Sequence, residues 1–120
     1  MKVCLINVPN TYELVGNDPV IIKDQQGVYP PLGILYIAAV MQHAGYEMFV
    51  IDAQAEDLTH AQVAERVEMI KPDVVGLTAM TFTLVDVKLT VQEIRKRTTA
   101  TIVIGGPHTA IYPNECFDPQ

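Results

Sequence analysis

Four short apolar runs constrain the fold of this chain more than any other feature. They are rich in Val, Ile and Leu, lack alternation of polar and apolar residues, and span Val3–Val8, Met48–Ile51, Val74–Leu77 and Ile102–Ile104. Strands that read as continuous apolar runs are covered on both faces, as the strands of parallel sheets are. The four runs therefore predict one sheet buried between layers of helix.

The segments between the runs carry helical boundary signals. A first helix is predicted to begin at Pro31, where proline at the first turn gives up no hydrogen bond, and to end at Gly45. A second is predicted to begin at Thr59, because Thr59 and Gln62 have the spacing of a capping box, and to end before Pro72. Both helices connect one apolar run to the next.

A third helix is predicted from about Leu84 to Arg97, with Thr83 as its cap. The order β-α-β-α-β-α-β requires parallel strands and right-handed crossovers, which predicts an α/β fold with a doubly wound sheet. After the fourth run, Gly105–Gln120 is rich in proline and polar residues, and we expect neither a helix nor a fifth strand there. We interpret residues 1–120 as a single domain, truncated before the fifth strand and last helix.

Composition and charge exclude several kinds of partner. The chain has 8 Lys+Arg against 14 Asp+Glu, a net charge of −6, so nucleic acid is not an expected partner. The longest apolar stretch, Ile34–Met41, is far shorter than the ~20 residues that a bilayer requires, so we expect no membrane contact. We see no signal peptide and expect a cytoplasmic protein. Cys4 and Cys116 are too few to ligate an iron–sulfur cluster.

Ligands of open doubly wound sheets bind beyond the carboxyl ends of the strands. The loops at these ends are residues 7–11, 78–83 and 105–109, and a long connection, Pro9–Pro30, is typical of a functional loop. A G-x-G-x-x-G motif after the first run is missing, which disfavours NAD, and no P-loop is present. Without those glycines, Asp52 is interpreted as a solvated carboxylate at a strand end.

Seven residues of two of these loops are candidates for binding a ligand. Small residues permit close approach, hydroxyls donate to a phosphate or a ring nitrogen, and a methionine packs on a flat apolar ligand. A tight turn is the structural alternative for the glycines and a core position is the alternative for the methionine, whereas Thr83, a further hydroxyl of this series, is interpreted as a helix cap. The candidates are Thr78, Met80, Thr81, Gly105, Gly106, Pro107 and His108.

Other reactive residues receive structural interpretations. His108 has no visible carboxylate partner, so an ordinary loop position competes with a role as ligand or acid. His43 and His60 fall in helical segments and are assigned to the surface. Cys4 lies in an apolar run and is interpreted as a core residue rather than a nucleophile. We therefore expect no catalytic residue and no protein ligand to a metal.

Four segments together match a known family. The chain resembles the amino-terminal cobalamin-binding domain of B12-dependent radical SAM enzymes, especially the group of the anaerobic magnesium-protoporphyrin IX monomethyl ester oxidative cyclase and related methyltransferases. This resemblance implies a flavodoxin-like sheet of order 2-1-3-4, with a corrinoid over the strand ends and its nucleotide tail running toward Thr78, Thr81 and Gly105–Gly106. The matching segments are KVCLINVP at residues 2–9, YPPLGILYIAA at 29–39, PDVVGLT at 72–78 and GGPH at 105–108.

Two departures from related patterns limit what carries over. The Asp-x-His-x-x-Gly motif, which supplies a histidine to cobalt in domains of the methionine synthase type, is missing after the first run. Any corrinoid is therefore expected to lack that lower ligand. The C-x-x-x-C-x-x-C motif of a radical SAM domain is missing too, so the iron–sulfur cluster and S-adenosylmethionine are expected in a domain outside this chain.

Three functions remain open at this point. The first is a module that holds cobalamin for a radical SAM domain of the same protein and its small-molecule substrate. The second is a degenerate domain that serves as a docking or substrate-recognition platform without cofactor. The third is a free-standing binder of a phosphorylated ligand. In every case we expect the isolated chain to self-associate, through the open edge of the fourth strand or the apolar first helix.

Overall fold

The four apolar runs form one parallel sheet. A computed structural model describes residues 1–12 and 27–117, and all statements below refer to these residues. The sheet order is β2-β1-β3-β4, which confirms the doubly wound, flavodoxin-like topology implied by the sequence. The strands are β1 (Lys2–Asn7), β2 (Glu47–Asp52), β3 (Val74–Thr78) and β4 (Thr101–Gly105).

The predicted role of the long connection Pro9–Pro30 cannot be compared with the structure. Most of this connection, residues 13–26, lies outside the described ranges. Its interpretation as a functional loop stays a prediction.

The three predicted helices are confirmed, and a fourth is present that was not predicted. They are α1 (Leu32–His43), α2 (His60–Ile70), α3 (Leu84–Arg95) and α4 (Pro107–Ile111), with a 3-10 turn at Thr81–Thr83. The expectation of no helix after Gly105 is wrong. Gly106 turns the chain with φ +99°, and Pro107 occupies the first helical turn, where it needs no amide hydrogen. No helix of the described ranges is long and apolar enough to cross a membrane.

The helix caps follow the sequence in one case and depart from it in another. At the start of α2, Thr59 and Gln62 form the predicted capping box. Thr83 precedes α3, but its hydroxyl does not cap that helix. Instead its oxygen accepts from the Met80 amide at 3.0 Å and donates to the Met80 carbonyl at 3.2 Å, which closes the 3-10 turn. The predicted cap is therefore wrong, because a local turn uses the hydroxyl first.

One side of the sheet, which we call the covered face, is sealed by α2 and α3. Alternate residues of each strand point to the same side of a sheet, and the strand register places those of this face together. Cys4 is completely buried there, so burial raises the pKa of its thiol to about 12 and its predicted core position is confirmed. The buried cluster comprises Cys4, Ile6, Val8, Ile51, Val75 and Leu77 with Val63, Val67, Val87 and Ile94 of the helices.

The opposite side, which we call the open face, carries only α1 among the described helices. This helix packs over β1 and β2 and leaves β3 and β4 uncovered. Leu5, Gly76 and Val103 form one row across this face, and the Val103 side chain is 52% exposed. The right-handed crossover rule explains the arrangement, because the chain reverses its winding direction after β2.

Candidate functional site

An apolar groove of about 680 Å³ lies between α1 and the open face of the sheet. Its floor is formed by the row Leu5, Gly76 and Val103, and one wall by Ile34 and Ile37 of α1. The groove reaches the carboxyl ends of β3 and β4. Its lining there includes four of the candidate residues, Thr78, Met80, Gly105 and Gly106. The structure therefore brings these four together at the mouth of one groove.

Glycine at Gly76 and Gly105 keeps the floor of the groove low. A Cβ at Gly105 would meet no atom within 4 Å, so the space above this residue is open. A Cβ at Gly76 would lie 2.6 Å from Cδ2 of Leu5, a flexible side-chain end. The space above Gly105 therefore forms a cradle, which a side chain at this position would fill.

Gly106 has the tight-turn geometry that is one of the two alternatives for the glycine pair. A Cβ there would lie 2.6 Å from the Thr78 hydroxyl oxygen and 2.7 and 2.9 Å from the carbonyl oxygen and the nitrogen of Ala79. The Ala79 amide donates to the Gly105 carbonyl at 2.8 Å, and the Ala79 carbonyl accepts from the His108 amide at 3.1 Å. The protein's own backbone thus demands glycine at this position.

The remaining three candidates lie beside the mouth rather than in its lining. Pro107 begins α4 and is exposed. His108 is 2% exposed, with its Nε2 atom 2.8 Å from a carboxylate oxygen of Glu115 and its Nδ1 atom 3.0 Å from the hydroxyl oxygen of Thr81. Its ring lies against Tyr112, with centroids 5.4 Å apart. The interpretation of His108 as a loop residue without a carboxylate partner is therefore wrong.

A second histidine pair was also missed by sequence reasoning. His60, assigned to the surface, places its Nε2 atom 2.7 Å from a carboxylate oxygen of Asp86, which is completely buried. The other carboxylate oxygen of Asp86 accepts from the Tyr12 amide at 3.0 Å, and the Tyr12 ring stacks on His60. The surface assignment is wrong because the first turns of α2 and α3 meet at the carboxyl edge of the sheet. This pair fastens the chain after β1 to α3.

Asp52 and His43 complete the polar groups named from the sequence. One carboxylate oxygen of Asp52 accepts from the Asn7 amide at 2.9 Å and from the Ala55 backbone amide at 3.2 Å. Asp52 is thus bonded within the protein rather than simply solvated. His43 is exposed, as expected, and ends α1 next to the amino-terminal edge of β2.

The described residues offer no preformed metal site. Among them, no three His, Cys, Asp or Glu side chains come together in a way that could hold a metal ion. Both cysteines are free, and burial raises the pKa of Cys116 as well as that of Cys4. What the edge offers is an apolar groove beside hydroxyl and backbone groups, an arrangement suited to a ligand with a large apolar part and polar margins.

The fold is that of an open α/β domain, a class that binds ligands beyond the carboxyl ends of its strands, and the groove opens at that edge. The chain belongs to the B12-binding domain family, which it matches over residues 19–120. This match confirms the resemblance deduced from the four sequence segments.

Three named proteins are similar in sequence to this chain. The chain is 37% identical to an uncharacterized methyltransferase of Pyrococcus horikoshii, over 70% of this chain and 18% of that protein. It is 37% identical to the anaerobic magnesium-protoporphyrin IX monomethyl ester cyclase of Rubrivivax gelatinosus, over 72% of this chain and 16% of that protein. It is 31% identical to the cytidylyl-2-hydroxyethylphosphonate methyltransferase of Streptomyces wedmorensis, over 73% and 20%. The chain thus spans a fifth or less of these relatives, and no solved structure matches it significantly.

Proposed function

We propose that this domain binds cobalamin at the carboxyl edge of the sheet, with the nucleotide tail in the groove beside α1. The observation that carries the proposal is the apolar groove of about 680 Å³, which opens between Thr78 and Gly105. The open space above Gly105 fits such a group, because a Cβ there would meet no protein atom within 4 Å. When bound, cobalamin supplies a cobalt centre that can carry a methyl group or an electron.

The side chains of the site would hold the cofactor and exclude water. Leu5, Ile37 and Val103 line the groove and would cover the apolar part of the tail. Met80 is 41% exposed at the mouth, where a flexible thioether packs well on a flat macrocycle. The hydroxyls of Thr78 and Thr81 would bond polar groups on the margin of the ligand. The chemistry itself belongs to a radical SAM domain of a longer protein, which would hold the iron–sulfur cluster, S-adenosylmethionine and the small-molecule substrate.

The same proposal includes a cobalt without a lower histidine. The sequence has three histidines, and His43 lies at the opposite edge of the sheet. The Nε2 atom of His60 is bonded to Asp86, and both ring nitrogens of His108 are bonded to side chains. We expect the cobalamin to be bound without its own benzimidazole as a lower ligand as well, so electron paramagnetic resonance of the Co(II) form should show no splitting from an axial nitrogen. Splitting that changes when the histidines are labelled with nitrogen-15 would show that a histidine leaves its partner and reaches the metal.

Reconstitution with hydroxocobalamin followed by desalting tests the site. The wild type should retain corrin absorbance, and Gly105→Val should weaken binding by about tenfold or more, since a branched side chain fills the cradle. Thr101→Val is the control, because it places the same valine on the same face at the other end of β4. Circular dichroism checks that each variant is folded. Equal retention by the wild type and a folded Gly105→Val protein would refute the placement of the tail.

A docking or substrate-recognition platform without cofactor is the second candidate function. It is supported by the outer side of α1, where Tyr36 is 74% exposed and Val40 is 55% exposed. Such an apolar surface is typical of an interface, and in a longer protein a neighbouring domain would cover it. Failure of the folded wild type to retain any corrinoid would favour this function. The two free cysteines favour the cytoplasm for either function.

A further inference from the structure

Three side chains form a hydrogen-bonded series beside the mouth of the groove. Thr81 follows β3, His108 lies in α4, and Glu115 follows α4. The hydroxyl oxygen of Thr81 is 3.0 Å from Nδ1 of His108, and Nε2 of His108 is 2.8 Å from a carboxylate oxygen of Glu115. The imidazole is 2% exposed, whereas Glu115 is half exposed and Thr81 is exposed. A buried ring thus connects two side chains that reach the solvent.

An ionised Glu115 fixes the direction of one hydrogen bond, and a neutral imidazole fixes the direction of the other. An ionised carboxylate can only accept, so the Nε2 atom of His108 must carry a hydrogen and donate it. In the neutral ring the Nδ1 atom then has no hydrogen and can only accept. With the ring in this neutral form, the Thr81 hydroxyl donates its hydrogen to His108. Each member of the series has one defined role.

The consequence lies at the exposed end of the series. With its hydrogen directed toward His108, the Thr81 oxygen presents only lone pairs to a ligand. It can accept a hydrogen bond from an amide N–H, and it disfavours a carboxylate or phosphate oxygen at the same place. Thr81 directly follows Met80, which lines the mouth of the groove. The series therefore gives one point of the site a defined polarity.

We propose that His108 and Glu115 are positioning residues that hold Thr81 as a hydrogen-bond acceptor for an amide on the bound ligand. This inference rests on the proposed function, because the primary amides on the margin of the corrin ring are the donors that it would recognise. The selection is made by the direction of one hydroxyl.

The direction of the series can be tested without any ligand. Nitrogen-15 correlation spectra of the histidine side chains in the whole 120-residue chain should show His108 with hydrogen on Nε2 and none on Nδ1. In Glu115→Ala the fixed acceptor is lost, and the signals should move toward a mixture of the two tautomers. A wild-type ring with hydrogen on Nδ1 would overturn the inference, and so would an unchanged tautomer in Glu115→Ala.

The selectivity is tested by comparing cobalamin with its separate propionic monocarboxylic acids, each with one amide hydrolysed to a carboxylate. The wild type should bind at least one of these acids about three- to tenfold more weakly than cobalamin, the effect of one hydrogen bond. In Thr81→Val this ratio should fall toward one, and in Thr81→Ser it should return. Thr109→Val is the control, since the Thr109 hydroxyl donates to the Gly106 carbonyl at 2.8 Å and lies outside the series.

The outcomes separate this inference from the proposed function. Cobalamin binding with the same ratio in the wild type and Thr81→Val overturns the inference and leaves the proposed function standing. No cobalamin binding by the folded wild type overturns both. A ratio that changes in Thr109→Val as much as in Thr81→Val assigns the effect to a general disturbance of α4, and this also overturns the inference.

Discussion

The two faces of the sheet are built on the same strands but differ in burial: the covered face packs against helices, and the open face forms the floor of the groove. On the covered face, Val75 is completely buried against α2 and α3, whereas Val103 on the open face is 52% exposed. Large aliphatic side chains fill the covered face, and glycines 76 and 105 lower the open one. Because side chains alternate along a strand, neighbouring residues can serve stability and binding separately. Substitutions on the two faces should therefore differ in what they disturb.

The largest effect on stability is expected at Gly106, a residue that lines the groove and also packs against the protein's own backbone. Gly106→Ala should lower the free energy of unfolding by about 2–4 kcal/mol, since a Cβ is strained at a φ of +99° and collides with Ala79. Gly105→Ala should stay within about 1 kcal/mol of the wild type, because its Cβ meets open space. Urea denaturation of both variants measures the difference. Equal stability of the two variants would contradict the close packing of Gly106 against the Ala79 backbone.

A pair of identical truncations compares the two faces directly. Val75→Ala removes two buried methyl groups and should cost about 2–3 kcal/mol of unfolding free energy. Val103→Ala removes the same groups from a half-exposed position and should cost less than about 1 kcal/mol. Both are measured by urea denaturation at constant pH. A loss at Val103 as large as at Val75 would show that the open face is covered in solution.

Self-association of the isolated chain is the next prediction. β4 is an edge strand without a charged residue or proline, and Val103 exposes an apolar side chain on it. Light scattering over a dilution series should show mass above that of the 13.3 kDa monomer. Val103→Lys should weaken this association by about tenfold, whereas Met69→Lys, an 81% exposed position on α2, should not. A monomer at high concentration would refute the prediction.

The smallest effect is a pH dependence of the unfolding free energy, which results from the burial of Cys4 on the covered face. Burial raises the pKa of Cys4 from 9.0 to about 12, so above pH 9 the folded chain keeps a proton that the unfolded chain releases. The stabilisation is complete below pH 9 and is lost as the pH rises toward 12. Between pH 8 and 10 the wild type should lose roughly 1 kcal/mol more than Cys4→Ala. If urea denaturation showed the same loss of unfolding free energy in the wild type and in Cys4→Ala, this would contradict the burial of the Cys4 thiol.

The sequence predicts the sheet and three helices because their signals are local. Continuous apolar runs, the capping box at Thr59 and the proline and glycine boundaries each act over a few residues. The cluster of candidate residues at the strand ends follows from the general position of ligands in such sheets. Four of these residues indeed line the groove.

What the sequence does not reveal depends on tertiary contacts. The short helix α4 has too few residues to show a periodic pattern, so the burial of His108 and its bond to Glu115 have no visible local signal. His60 and Asp86 lie on different helices and meet only because both helices begin at the same edge of the sheet. Thr83 has a local signal, but two local hydrogen-bond patterns compete for its hydroxyl.

Two main-chain hydrogen bonds connect the loops after β3 and β4. The form of the rim at the mouth of the groove therefore rests on the backbone, whereas its chemical character rests on the side chains. Gly105, Ala79 and His108 join the loops through two main-chain hydrogen bonds, and these two bonds do not depend on the side chains that line the groove. Thr78 and Met80 can then be exchanged during evolution while the rim keeps its form. One scaffold can in this way serve proteins with different reactions, and the names of the relatives, a cyclase and two methyltransferases, indicate such a range.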